Sequence, residues 1–232
     1  MAEKLKARRA GGGHSRMIMV LVGIAVLLLG VIVVYLLNSS LFREPSALDL
    51  AREELVAALE ANPGDPGLLM SLAEVEYELG RRGDAFDHAE QAVANGPEVK
   101  NINMRYAMLL LKEEREEQAK TALDAELALD PLSAETNFLM AQVLREMEDY
   151  EGALAAVQIT LDKNYTDGDA RILYAQILSD AGRTDEAIEA FNSANEILPG
   201  DPRIVEGLAE LGVSYEATET VNPHSAPATE TK

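Results

Sequence analysis

A chain of 232 residues holds one or two ordinary domains, and its make-up, 47% apolar but only 5% aromatic with no tryptophan, favours close packing of small side chains over a large aromatic core. A formal charge of −20 makes a phosphate backbone an unsuitable ligand, and the lack of cysteine excludes disulfides, thiol nucleophiles and thiolate metal sites. The charge is uneven: residues 1–37 carry Lys4, Lys6, Arg8, Arg9 and Arg16 against Glu3, a net of +4, which leaves −24 for the rest.

In chain order, residues 1–16 form a basic segment with a glycine hinge at 11–13, and residues 17–37 run for 21 positions without a charge. As a helix that run measures about 31 Å, enough to cross a bilayer. It exceeds the apolar core of a signal peptide, and "NSSLF" after it is a poor cleavage site, so a retained transmembrane helix is expected. The basic flank keeps the N-terminus in the cytoplasm by the positive-inside rule and exports the acidic remainder of the chain. Residues 38–49 read as a linker. From Val213 to Lys232 the chain has Pro, Thr, Ser and Glu without apolar period, and is expected to be disordered.

Between these, residues 50–212 repeat with a period of 34. Proline recurs at Pro63, Pro97, Pro131 and Pro199, with Tyr165 in the missing place. Alanine recurs at Ala51, Ala85, Ala119, Ala153 and Ala187, and again at Ala73, Ala107, Ala141, Ala175 and Ala209. Such self-similarity means stacked helical hairpins in an all-α superhelix. Full units are expected at 66–99, 100–133, 134–167 and 168–201, with a lone second helix at Leu50–Ala61 in front and a capping helix at Arg203–Leu211 behind. Within the last full unit, Asp169–Asp180 and Asp185–Ile197 form the hairpin. Ala175 and Ala187 are expected to meet where the backbones approach, with Tyr174 and Phe191 filling the space beside them. Glu114 and Glu148 replace the turn glycine of Gly80 and Gly182, and Glu126 and Thr160 replace the alanine of Ala58, Ala92 and Ala194, which predicts looser middle repeats.

These three registers resemble the tetratricopeptide repeat family. The resemblance implies a concave face built from the second, fifth, sixth, ninth, twelfth and thirteenth residues of each unit. Transferred here, it nominates Met70, Met104, Arg105, Met108, Phe138, Gln142, Arg145, Ile172 and Gln176 as a partner-binding groove. Met70 and Glu74 stand where chaperone-binding members use a Lys and an Asn to clamp a terminal carboxylate, so that clamp is not expected. An apolar, methionine-bearing groove edged by arginine suits an amphipathic or extended segment with some acidic residues.

No catalytic set emerges. His14, His88 and His224 are scattered, no serine has a paired base, and Glu113, Glu114, Glu116 and Glu117 read as a solvated helix face. The stretch Asp162–Leu173 mimics the first ligands of a calcium loop but has Asp167 where glycine is needed and Leu173 where a bidentate Glu is needed. It reads as an inter-repeat turn, and no metal or cofactor is expected. The expected function is a non-enzymatic scaffold on the outer face of a bacterial plasma membrane, anchored by one helix and binding membrane-associated proteins. In layout it is similar to the repeat subunits of cytochrome c maturation that hold apocytochromes, and to translocon-associated periplasmic subunits. A eukaryotic organelle receptor with its repeats in the cytosol is the rival on topology.

Overall fold

The structure, a computed structural model, describes residues 3–38 and 45–215, and among these it contains eleven helices and no strand. The chain divides into two units between Ala51 and Arg52.

In the first unit, α1 (Glu3–Asn38) carries the apolar stretch Met17–Tyr35, a run of 19 residues with its side chains exposed and a length sufficient to cross a membrane. The helix continues through residues 11–13, where glycine predicts a hinge; helix propensity offers no account of that continuity. Residues 39–44, half of the expected linker, lie outside the described residues. Where the chain resumes, Ser46 and Asp49 form a capping box: Ser46 Oγ accepts from the Asp49 amide at 3.1 Å, and Asp49 Oδ2 accepts from the Ser46 amide at 2.9 Å. That exchange starts α2 (Ala47–Ala61).

The second unit stacks four hairpins: α3 (Pro66–Glu78) with α4 (Arg82–Asn95), α5 (Ile102–Leu111) with α6 (Glu116–Leu129), α7 (Ala134–Glu146) with α8 (Tyr150–Lys163), and α9 (Gly168–Asp180) with α10 (Thr184–Ile197). The final helix is α11 (Pro202–Glu210). Each first helix except α5 is opened by a side chain of one register: Asp65, Ser133, Asp167 and Asp201 accept from amides two or three residues on. The same register falls on Val99 in the second unit, which cannot cap. There the helix starts two residues late behind a left-handed Asn101, and Glu126 of α6 supplies the cap, accepting from the amides of Asn101 at 2.6 Å and Met104 at 3.4 Å.

Glu126 and Thr160 thus do not loosen the middle repeats in the way the alanine register predicts. Glu126 is buried with both oxygens bonded, and Thr160 donates to the carbonyl of Ala134 at 3.0 Å, so each ties its helix to the start of its partner. The inter-helix turns are also uniform. Gly80, Glu114, Glu148 and Gly182 have φ of 77°, 54°, 60° and 72°, and in each case the next amide closes back on the carbonyl of Glu76, Leu110, Leu144 or Leu178. Two glutamates therefore hold a left-handed conformation that costs a side-chain-bearing residue roughly 1–2 kcal/mol.

Ala85, Ala119, Ala153 and Ala187 are buried, as are Ala73, Ala107, Ala141 and Ala175. Ala175 and Ala187 belong to different buried clusters, however. Ala187 joins Ala141, Ile177 and Leu178, whereas Ala175 packs in the group of Phe191, Ala194 and Ile204. Phe191 is buried as expected, and Tyr174 lies half-buried against the first group. The tail starts later than its composition implies: Val213 and Tyr215 pack on the rear cluster, and the Tyr215 hydroxyl bonds Asn195 Oδ1 at 3.2 Å. Residues 216–232 lie outside the described residues.

The turn Asp162–Leu173 is held as a connector. Asn103, Asn137 and Arg171, themselves 34 apart, donate to the carbonyls of Pro97, Pro131 and Tyr165, and the Arg171 guanidinium lies 4.1 Å from the centre of the Tyr165 ring. Tyr165 thereby keeps the position that proline occupies in the neighbouring units. Asp167 is spent on capping α9.

Candidate functional site

The first helices α3, α5, α7, α9 and α11 line one face of the second unit. Among adjacent pairs α5 and α7 approach one another least, and the gap opens as a concavity of about 780 Å³. The late start of α5 leaves it shorter than its neighbours on this side. Met104 and Met108 of α5 and Phe138, Leu139 and Gln142 of α7 line the concavity, with Glu135, Asp167, Asp169 and Arg203 among the polar residues around it.

Of the nine residues nominated from sequence, Met104, Met108, Phe138 and Gln142 come together here. Met108 is 46% exposed, a large value for a methionine between two helices. Arg145 and Gln176 line a separate hollow of about 180 Å³ beside Asp180, Glu206 and Glu210. Met70 and Ile172 do not reach the groove: they are 0% and 1% exposed. Met70 is enclosed with Leu69, Ala73, Ile102 and Leu109, because α5 packs along α3. Ile172 is enclosed with Phe191, Ile204 and Leu208, because α11 covers α9. The fifth position stays half-open only in α5 and α7, at Met104 and Phe138.

The cations of this face are committed within the protein. Arg105 grips Glu74 through Nε at 2.7 Å and Nη2 at 2.6 Å and also reaches Ser71 Oγ. Lys112 pairs with Glu78, Arg145 with Asp180, and Arg203 with Asp169, each joining one repeat to the next. The carboxylates of Asp201 and then Asp169 hold the Arg203 guanidinium above its ordinary pKa. At the front, a hydrogen bond from the Tyr77 hydroxyl to Glu113, 2.6 Å long, raises the phenol pKa by favouring its protonated form. The arginine edge expected to attract acidic side chains is therefore neutralised. Sequence reasoning missed Glu135 and Asp169, although both stand at the second position of their units, which was the available signal.

His88 is joined to a buried carboxylate at the front of the stack. Its Nδ1 lies 2.7 Å from Oε2 of Glu76, whose other oxygen accepts from Arg52 Nε at 2.8 Å, and the Glu76 side chain is sealed from solvent.

The tetratricopeptide repeat family model matches residues 48–100 and 138–202, together about half of the chain. The chain belongs to the tetratricopeptide repeat family. No curated protein gives a match. Solved structures with the same repeat fold include a tetratricopeptide repeat protein from Parabacteroides merdae, with 23% identity over 71% of this chain and 65% of that one and a TM-score of 0.65. MamA aligns at 19% identity over 73% of this chain and 88% of its own, with a TM-score of 0.58. YrrB, a repeat protein with an unusual peptide-binding site, aligns at 20% identity over 72% and 89%, with a TM-score of 0.59. At these identities the likeness extends to the tetratricopeptide fold and no further.

Proposed function

We propose that this protein is a non-enzymatic scaffold, anchored in a membrane by Met17–Tyr35, that holds a segment of another protein against the concave face of its repeats. One observation carries this reading: Met104 and Phe138 stay half-open and Met108 exposed along α5 and α7, while Met70 and Ile172, in the register of Met104 and Phe138, are sealed. An uncovered apolar cleft is what a partner's side chains require. The peptide-binding site of the similarly folded YrrB supports the reading by analogy. The net charge of +4 ahead of the apolar helix favours a cytoplasmic N-terminus with the repeats outside. Confinement to the bilayer raises the effective concentration of membrane-bound partners, so modest affinity suffices.

A photo-crosslinking residue at Met108 or Gln142, set against one at Glu189 on α10, tests the assignment in intact cells. Adducts specific to the first two positions are expected. Adducts only from position 189, or equal from all three, refute it. Recovery of an apocytochrome would assign the protein to cytochrome c maturation, and recovery of a secretion channel to the translocon. Alkaline phosphatase fused after Lys232 is expected to be active; inactivity would place the repeats in the cytosol.

A further inference from the structure

Resting on that reading of the concave face, we infer that the segment it holds is basic as well as apolar: one or two large apolar side chains enter the cleft between α5 and α7, with Lys or Arg beside them. The apolar requirement comes from the floor, where Met104, Met108, Phe138 and Leu139 face a space of about 780 Å³. Two methionines there adapt to more than one side-chain shape.

The charge requirement comes from what remains unpaired. Arg105, Lys112, Arg145 and Arg203 each already meet a carboxylate from a neighbouring repeat, at 2.6 Å for the Arg105–Glu74 and Lys112–Glu78 pairs. An acidic segment would have to break these bonds to find a cation. Glu135 lies at the cleft, exposed and in no close ion pair of the described residues; the Lys100 ammonium, which feels its charge, is held by Asp130 at 2.9 Å. Asp167 adds a second negative charge there, and Arg203 is shared between Asp169 and Asp201. Residues 38–232 together carry −24, so the long-range field also draws cations and repels acidic chains and anionic lipid surfaces.

The test uses the full chain in detergent micelles and two fluorescent peptides, tracked by anisotropy. Both carry Leu and Phe four residues apart; one surrounds them with Lys, the other with Glu. The basic peptide is expected to bind about tenfold more tightly at low salt, with the advantage shrinking as salt approaches about 0.5 M. A basic control with Ser in place of Leu and Phe is expected to lose most of the binding. Glu135→Lys is expected to weaken the basic peptide by about fivefold. Glu189→Lys makes the same change in net charge outside the cleft and is expected to have much less effect. Both sites are exposed, and circular dichroism confirms that each variant folds. Equal binding of the two peptides, or equal weakening by the two substitutions, overturns the inference while leaving the groove as a docking site. Binding of neither peptide, together with crosslinks confined to position 189, removes both the inference and the reading beneath it.

Discussion

The two ends of the repeat stack are closed by opposite means. At the rear, α11 brings Ile204 and Leu208 into the core, and Gly207 lies so close to Phe191 that a Cβ would run into the ring. Val213 and Tyr215 then extend the seal. At the front, no residue of α2 is buried, and the stretch from Arg52 is fastened by the ion pair to Glu76 and the contact of Leu59 with the front cluster. Glu76 occupies the register of Leu110, Leu144 and Leu178, and His88 that of Ala122, Ala156 and Ala190. One end rests on apolar area, which tolerates gradual loss. The other rests on a desolvated charge, which tolerates only being matched or removed entirely.

The largest break in this comparison comes from the rear. Phe191→Ala empties the space between α10 and α11 and is expected to cost about 3–5 kcal/mol. Hydrogen exchange should accelerate in α10 and α11 while α3 stays protected. Equal acceleration in α3 would mean that the ends are not separate. Next comes the front: Arg52→Ala leaves the Glu76 carboxylate with His88 alone and is expected to cost about 2–3 kcal/mol in urea unfolding. Glu76→Leu combined with His88→Ala restores the apolar register and is expected to be neutral or stabilising. A double variant as unstable as Arg52→Ala would show that the ion network contributes more than the matching of one buried charge. The smallest effect lies between the ends. Glu114→Gly and Glu148→Gly each relieve a left-handed turn costing roughly 1–2 kcal/mol but add backbone freedom to the unfolded chain, for a net gain of about 0.5–1 kcal/mol. Because neighbouring repeats couple along the stack, strengthening the middle should bring the unfolding of the two ends closer together.

Much of the framework was legible because it depends on local, repeated chemistry. The alanine registers mark positions sealed inside the stack, and their interior members are all buried. Ala209 keeps the register yet is exposed, since no described helix stacks beyond α11. The groove was half legible. Met104, Met108, Phe138 and Gln142 follow from position in the unit, but the burial of Met70 and Ile172 depends on α5 and α11, whose placement is set elsewhere in the chain. The pairing of Arg105 with Glu74 needs two side chains 31 residues apart to meet, and no single-unit pattern announces that.

By itself the sequence determined the period, the helix type, the connectors and an apolar stretch long enough for a bilayer, because each is a property of neighbouring residues and their spacing. Tertiary structure alone decided that Glu126 caps a helix with no cap of its own, that the groove's cations are already matched, and that one gap between first helices stays open. These depend on distances between units, which small differences in helix start and side-chain size set jointly.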